Sequence, residues 1–300
     1  MPSYGELAII MTPRGKRRIL RIEQGKDLHT GEGVLRMEDV AAAPFGSEVK
    51  TNLGIPFRIQ RPTIYDLVRG VKRQTQIVYP KDIAYLCMRL GVGPGRTVIE
   101  AGTGSGGLTV ALSWFSGPTG LVHTFEAREE FHKLARKNLE WAEVGQNVIM
   151  HHHDISEGFL DVTGADALFL DVRTPWEYLR HIPAAVKPGA ALAFLLPTMD
   201  QVGKLLLGLE QGPYDDIDVC ELLLRRWKIT PDRLRPDDRM IAHTGFLIFA
   251  RHQERSEEWE ALRPLGTRER KQEAARRARL GLDDVADDAA DDATGGAEDE

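Results

Sequence analysis

Four carboxylates and one glycine-rich turn hold most of the chemistry this sequence offers. The turn runs Val98-Ile99-Glu100-Ala101-Gly102-Thr103-Gly104-Ser105-Gly106-Gly107-Leu108-Thr109, after a predicted strand and into a predicted helix. Glycines there let the backbone bend sharply and let a ligand approach without meeting a Cβ. The N–H groups that open the helix are free to bind an anionic or carboxylate group. Gly102, Gly104 and Gly107 keep the Gly-x-Gly-x-x-Gly spacing of a dinucleotide site, and Glu126 follows Gly104 by 22 residues, where an acid would hold ribose hydroxyls. That much fits NAD and the ribose of S-adenosylmethionine equally well. Glu100, just before the first glycine, favours a ligand carrying an ammonium group, which a methionine moiety has and a pyrophosphate lacks. Asp154, after the third strand, is placed to accept a hydrogen bond from an adenine amine. Asp171 ends the fourth strand, Ala167-Leu168-Phe169-Leu170-Asp171, so its carboxylate is expected over the ligand crevice of an open α/β sheet. Pro175 and Trp176 follow, with the indole free to pack or to stack. His151-His152-His153 has the composition of a metal tract. Strand alternation sends neighbouring side chains to opposite faces, and no Cys or His at zinc-site spacing accompanies it, so no metal is expected.

These groups need a scaffold that brings strand ends together. A helix over 81–90 is followed by short apolar runs at Thr97–Ala101, Leu121–Glu126, Asn147–His151, Ala167–Val172 and Ala190–Leu196. Amphipathic, helix-length segments lie between them near Leu108–Phe115, Glu129–Trp141, Trp176–Ala185 and Met199–Glu210. Such alternation predicts a parallel sheet with helices on both faces. Ile217–Leu224 and Thr244–Ala250, with no helix between them, are expected to close the sheet as an antiparallel pair. Ahead of this, residues 1–75 read as a small β-rich domain. Strand candidates there are Leu7–Ile10 and Arg18–Ile22, split by the turn Thr12-Pro13-Arg14-Gly15. The expected division is therefore 1–75, a catalytic domain over 76–252, a charged helical extension over 253–282 and an acidic disordered tail over 283–300.

Composition bounds the rest. The 300 residues are 42% hydrophobic and 28% charged, which is ordinary for a globular chain. Two cysteines in apolar stretches, Cys87 and Cys220, exclude a disulfide scaffold. No apolar run approaches the ~18 residues of a membrane helix, and the first residues lack a signal-peptide design, so a cytoplasmic protein is expected. Nine of the 45 acids fall in Asp283–Glu300; without them 39 basic residues face 36 acidic ones, and the rest of the chain is mildly basic. A nucleic-acid partner is permitted. Arg14, Lys16, Arg17 and Arg18, and a basic face over 268–281, are candidate phosphate contacts.

Taken in order, the motifs resemble the tRNA (adenine-N1)-methyltransferases of the TrmI family, relatives of the eukaryotic Trm61 catalytic subunit. The matching stretches are Leu28-His29-Thr30-Gly31-Glu32-Gly33, Arg61-Pro62-Thr63, Val78-Tyr79-Pro80-Lys81-Asp82, the glycine turn, Asp171 with Pro175-Trp176, and His243-Thr244-Gly245-Phe246-Leu247. They span about residues 1–252. The glycine turn is common to many methyltransferases; Tyr-Pro-Lys-Asp with Asp-x-x-x-Pro-Trp and His-Thr-x-Phe-Leu is far more specific. The chain departs from the family pattern at Gly31, where relatives often carry a second His, and at Val172-Arg173-Thr174. The resemblance implies a class I S-adenosylmethionine-dependent fold, with a seven-stranded, mostly parallel, doubly wound sheet behind the small β domain, and usually a homotetramer. It implies methylation of N1 of the adenosine at position 58 in the tRNA T-loop. It implies that Glu100, Gly102, Thr103, Gly104, Ser105, Gly106, Gly107, Leu108, Glu126, Asp154 and Asp171 surround the cofactor, and that Asp171 is the catalytic carboxylate. Tyr79 would line the target-base pocket and assist there, with Trp176 and His243 as further substrate contacts. Rival readings are an NAD-dependent dehydrogenase, a non-catalytic RNA-binding partner on the same fold, and a methyltransferase acting on another RNA, a protein or a small molecule.

Overall fold

A computed structural model describes residues 1–74, 76–254 and 256–262. The expected extension beyond 262 and the acidic tail lie outside the described residues. Chain order is β1 (Leu7–Met11), β2 (Arg17–Arg21), β3 (Leu28–Thr30), β4 (Gly33–Leu35), α1 (Met37–Ala42), β5 (Glu48–Lys50), β6 (Pro56–Gln60), α2 (Ile64–Gly70), α3 (Pro80–Arg89), β7 (Thr97–Ala101), α4 (Gly107–Ser116), β8 (Leu121–Glu126), α5 (Glu129–Trp141), β9 (Val148–His152), β10 (Ala165–Leu170), α6 (Ile182–Ala185), β11 (Val186–Leu196), α7 (Met199–Gln211), β12 (Tyr214–Cys220), β13 (Phe246–His252) and α8 (Glu257–Leu262).

Seven strands form one sheet in the order β12-β13-β11-β10-β7-β8-β9. β11, β10, β7, β8 and β9 run parallel, while β13 is antiparallel to both β11 and β12. The expected antiparallel closure is therefore present. Side chains alternate across this sheet. Val98, Ala167 and Phe169 enter one apolar core with Leu86, Leu108 and Leu112, and Ile99, Leu168 and Leu170 enter the other with Ile182, Val202 and Leu205. Both faces are covered, so the central strands read as continuous apolar runs. The chain winds from β7 outward to β8 and β9, then returns to place β10 on the other side of β7. The crevice at that reversal, beyond the carboxyl ends of β7 and β10, is where an open α/β sheet takes its ligand.

A separate four-stranded antiparallel sheet, β2-β1-β6-β5, lies at the N-terminus with the hairpin β3–β4 beside it. Ala8, Ile10, Phe57 and Ile59 alternate into its own core with Ile22, Leu35 and Val40. Residues 1–254 pack as one compact unit. The small sheet reaches the larger part through Arg21, whose guanidinium pairs with Glu143 and donates to the Trp141 carbonyl at 2.9 Å, and through Arg17, paired with Asp66 at 3.1 Å.

Three elements differ from the sequence reading. The helix expected over 176–185 is two tight helical turns, Pro175–Glu177 and Leu179–His181, and one turn of α6. Pro183 lacks the N–H of a helix interior, and its ring would meet the carbonyl four residues back. The strand expected over 217–224 lies instead at β12, three residues earlier, where Asp215, Asp216 and Asp218 mask it. The fourth parallel strand stops at Leu170, so Asp171 stands just past its end. No helix of the described residues is long and apolar enough to cross a membrane.

Candidate active site

The glycine turn joins β7 to α4, and its shape is dictated by Asp171. Gly102 has φ +89°, and a Cβ there would lie 2.1 Å from the Asp171 carbonyl oxygen. The Asp171 N–H in turn donates to the Ala101 carbonyl at 2.9 Å. Gly106, at φ +78°, caps α4 and faces Ala135 of α5 with a Cβ clearance of 3.0 Å. Asn138 holds the turn from outside: its amide donates to the carbonyls of Ser105 (2.7 Å) and Lys72 (2.9 Å) and accepts from the Lys72 N–H (2.9 Å).

Three acids converge on this turn. Glu126, buried at the end of β8, accepts from the Gly104 N–H at 2.8 Å; its other oxygen accepts from the N–H and Nε of Arg128, both at 3.1 Å. Glu100 is 1% exposed and accepts from the hydroxyls of Thr109 (2.6 Å) and Thr124 (2.7 Å). Burial pushes its pKa up to about 7, against those two hydrogen bonds and with help from the Asp171 and Glu126 charges. Asp171 accepts no hydrogen bond from the described residues, and burial pushes it up to about 6.

A cavity of about 240 Å³ opens among these groups, lined by Glu100, Gly102–Ser105, Gly107, Leu108 and Asp171 and closed by Gln76, Ile77, Val78, Arg128 and Phe169. Its charged lining is two carboxylates and one guanidinium. That guanidinium is already engaged by Glu126 and lies 3.9 Å over the Phe131 ring. A pyrophosphate would meet net negative charge here. A ligand with ammonium and sulfonium charges would meet an Asp171 carboxylate that has no donor among the described residues, so the residues fit S-adenosylmethionine better than a dinucleotide.

The remaining sequence candidates are dispersed. Tyr79 caps α3 and lines two neighbouring clefts, of about 550 and 410 Å³; Ile77 is common to the first of these and the Asp171 cavity. Asp154 is exposed and caps a helical turn through the Ser156 N–H at 2.9 Å; it does not line the cavity. Trp176 packs beside α7 with Lys204 Nζ 5.5 Å above its ring, also off the cavity. His243 sits on the Pro197 carbonyl (3.0 Å) and beside Phe246. His151 pairs with His123 at 3.1 Å and stacks on Phe125. Among the described residues no group of three or more His, Cys, Asp or Glu is placed to hold a metal ion.

Sequence reading missed Asn138, Arg128 and a buried network. Asn138 shares the buried face of α5 with Phe131, Leu134 and Ala135, so a lone amide on an apolar stripe was the available signal. In the network, Lys81 Nζ donates to Asp82 (2.7 Å) and Thr244 (2.6 Å), and the Thr244 hydroxyl donates to Asp82 (2.9 Å). Two motifs 162 residues apart are thereby joined behind Tyr79. Asp82 is 1% exposed, so removing its carboxylate leaves the half-buried Lys81 ammonium without a counter-charge and with only the Thr244 hydroxyl as partner. Asp82→Ala is expected to cost about 3 kcal/mol in chemical denaturation, and Asp82→Asn less. A midpoint equal to wild type in both would show the network to be energetically idle.

A family model described as the tRNA methyltransferase complex GCD14 subunit matches residues 61–242. The tRNA (adenine(57)-N(1)/adenine(58)-N(1))-methyltransferase TrmI of Methanocaldococcus jannaschii is 33% identical, over 81% of this chain and 94% of its own. The tRNA (adenine(58)-N(1))-methyltransferase TrmI of Thermus thermophilus is 32% identical, over 79% and 93%. Among solved structures, TrmI of Aquifex aeolicus, a tRNA (m1A58) methyltransferase, is 36% identical with a TM-score of 0.74, over 85% of this chain and 99% of that one. A protein of Thermotoga maritima described as a SAM-dependent O-methyltransferase is 38% identical with a TM-score of 0.80, over 85% and 96%. With the glycine turn, the carboxylate beyond β10 and these matches together, the chain belongs to the GCD14/TrmI family of class I tRNA methyltransferases.

Proposed function

We propose that this protein transfers a methyl group from S-adenosylmethionine to N1 of the adenosine at position 58 in the tRNA T-loop. The observation that carries it is the Asp171 carboxylate, without a donor among the described residues, opening into the cavity beside the glycine turn of a chain in this family. When bound, S-adenosylmethionine supplies an activated methyl group and leaves as the neutral thioether. Glu126 is the candidate acceptor for the ribose hydroxyls, Glu100 sets the negative field near the methionine end, and the turn 102–108 gives close backbone approach. Asp154, whose Oδ1 caps the helical turn, is the candidate adenine contact through its other carboxylate oxygen.

Asp171 carries the chemical step. N1 of adenine has an in-plane lone pair and no proton to lose, so no strong base is needed. Asp171 Oδ accepts a hydrogen bond from the exocyclic amine, which fixes N1 in line with the methyl group and stabilises the cation that forms. In folded tRNA that base must first leave its stack, at a cost of a few kcal/mol. Tyr79, with the clefts it lines one residue row from the Asp171 cavity, is the candidate wall for the extruded base; Trp176 and His243 are second-rank contacts, since neither lines those clefts.

The same reading takes residues 1–75 as a domain distinct from 76–252, supported by the separate sheet and core. It takes the assembly as a homotetramer, on the family resemblance, which sedimentation equilibrium would check. It takes the setting as cytoplasmic, supported by two unpaired cysteines. Glu126→Ala is expected to weaken S-adenosylmethionine binding about 10- to 100-fold, the loss of hydrogen bonds to a charged acceptor, with turnover at saturating cofactor nearly kept. Calorimetry reads the first and steady-state kinetics the second. An unchanged affinity would remove Glu126 from the site. The reading as a whole is tested by transfer of labelled methyl groups to an unmodified tRNA transcript, which should fall to background when position 58 is no longer adenosine.

A further inference from the structure

The clefts beside Tyr79 are bordered by four arginines that no acid of the described residues neutralises. Tyr65 and Arg69 stand one turn apart on α2, which begins with a capping box between Thr63 and Asp66. Arg226 comes from the segment between β12 and β13, where it is held by the Asp237 N–H on its carbonyl (2.9 Å) and by a bridge between Trp227 and Pro236. Both guanidinium groups converge on one oxygen: the Tyr65 hydroxyl accepts from Arg226 at 2.8 Å and from Arg69 at 3.4 Å. Burial alone raises the Tyr65 phenol, but the Arg226 hydrogen bond and the two positive charges outweigh it and hold its pKa below the usual value. Arg239 lines the same cleft, and Arg73 the adjoining one. Among the described residues, Arg69, Arg73, Arg226 and Arg239 have no carboxylate within ion-pair distance, whereas Arg17 pairs with Asp66 and Lys81 with Asp82 in the same walls.

Two guanidinium groups brought together without an acid repel each other, and the arrangement becomes favourable once an anion lies between them. A guanidinium fork matches phosphate oxygens in pairs. The position is also apt, since Arg69 and Tyr79 line both clefts. Accepting the reading of tRNA as substrate, on which this inference rests, we infer that Arg69 and Arg226, spaced by Tyr65, clamp a backbone phosphate of the tRNA strand next to the extruded adenosine. The clamp fixes the strand while Tyr79 meets the base, so it acts in substrate binding and is not part of the methyl-transfer machinery.

The test is equilibrium binding of an unmodified tRNA transcript to the full chain between about 50 and about 300 mM KCl, with methyl transfer measured on the same samples. Arg69 and Arg226 are exposed, so Arg69→Gln, Arg226→Gln and the double variant should fold normally. The double variant is expected to lose about one unit from the slope of log K against log salt and about tenfold in tRNA affinity. Its KM for tRNA should rise while turnover at saturating tRNA and the affinity for S-adenosylmethionine stay near wild type. Arg96→Gln, before β7 at the opposite ends of the parallel strands and paired with Asp166, should leave the slope unchanged. Equal slopes in the wild type and the double variant, or an equal loss in Arg96→Gln, would overturn the clamp. Binding of inorganic phosphate that requires Arg69 and Arg226, without a change in the tRNA slope, would assign the pair to a free anion and overturn it too. A wild type that binds tRNA but transfers no methyl group would contradict the proposed reaction, while the slopes would still decide the clamp.

Discussion

Asp171→Ala is expected to lower the single-turnover rate of methyl transfer by about a thousandfold while S-adenosylmethionine binds nearly as before. The expectation follows from what surrounds the carboxylate. Its backbone is fixed by the hydrogen bond to Ala101 and by the close approach of Gly102, so the side chain is aimed and has little freedom to reorganise. It has no donor among the described residues, and a dry site makes one charge–dipole contact to a developing cation worth several times its value in water. The ionised form is the active one. With the pKa pushed up to about 6 in the free protein, kcat/KM should be flat above that pH and fall tenfold per unit below it. A bound cation favours the carboxylate and moves the limb toward lower pH. Asp171→Asn should remove the limb along with the rate. A residual inflection in that variant would belong to Glu100, the other raised acid of the cavity, moved down by the loss of the Asp171 charge. Turnover unchanged in Asp171→Ala would sink the assignment.

Gly102→Ala is the second large effect. An alanine Cβ would lie 2.1 Å from the Asp171 carbonyl oxygen and 2.9 Å from its carbonyl carbon, both backbone atoms just past the end of the central strand β10. Neither can swing away as a flexible side chain would. The φ of +89° adds a conformational cost of about 1 kcal/mol for any residue with a Cβ. Together these should destabilise the protein by about 3 kcal/mol or more, and whatever relief occurs must displace Asp171 itself. Stability, cofactor affinity and rate are therefore expected to fall together, unlike the isolated rate loss of Asp171→Ala. Gly93→Ala is the matching control, with open space around its Cβ and no left-handed φ, and should be close to neutral. Thermal denaturation and cofactor titration of the two variants make the comparison. A Gly102→Ala protein as stable as wild type, with normal cofactor affinity, would show that the turn is not shaped as described.

What could be read in the sequence was what local period and spacing encode. β7, β8 and α5 were placed to the residue because their apolar runs are bounded by clear turns and by Glu126 or Glu129. The convergence of Glu100, Gly102, Glu126 and Asp171 could be expected because each lies at the end of a parallel strand or in the turn after one, and the sheet itself brings strand ends together. Legibility failed where a contact depends on residues far apart in the chain. Nothing in the spacing of Tyr65 and Arg226 announces that they meet, and the Lys81–Asp82–Thr244 network is visible in sequence only as two unrelated motifs. Trp176 was placed by its neighbours Pro175 and Asp171, but it lies in a short helical turn and packs beside α7, away from the cavity. Asp154 illustrates competition for a side chain: a carboxylate after a strand suits a ligand, and it suits the N–H groups of the next helical turn as well.

The most direct measurement is nucleoside mass spectrometry of an unmodified tRNA incubated with the protein and isotopically labelled S-adenosylmethionine. The expected result is labelled 1-methyladenosine, abolished by substitution of the T-loop adenosine at position 58 and by Asp171→Ala. Label on another nucleoside, or no label from a protein that binds the cofactor, would contradict the proposed reaction.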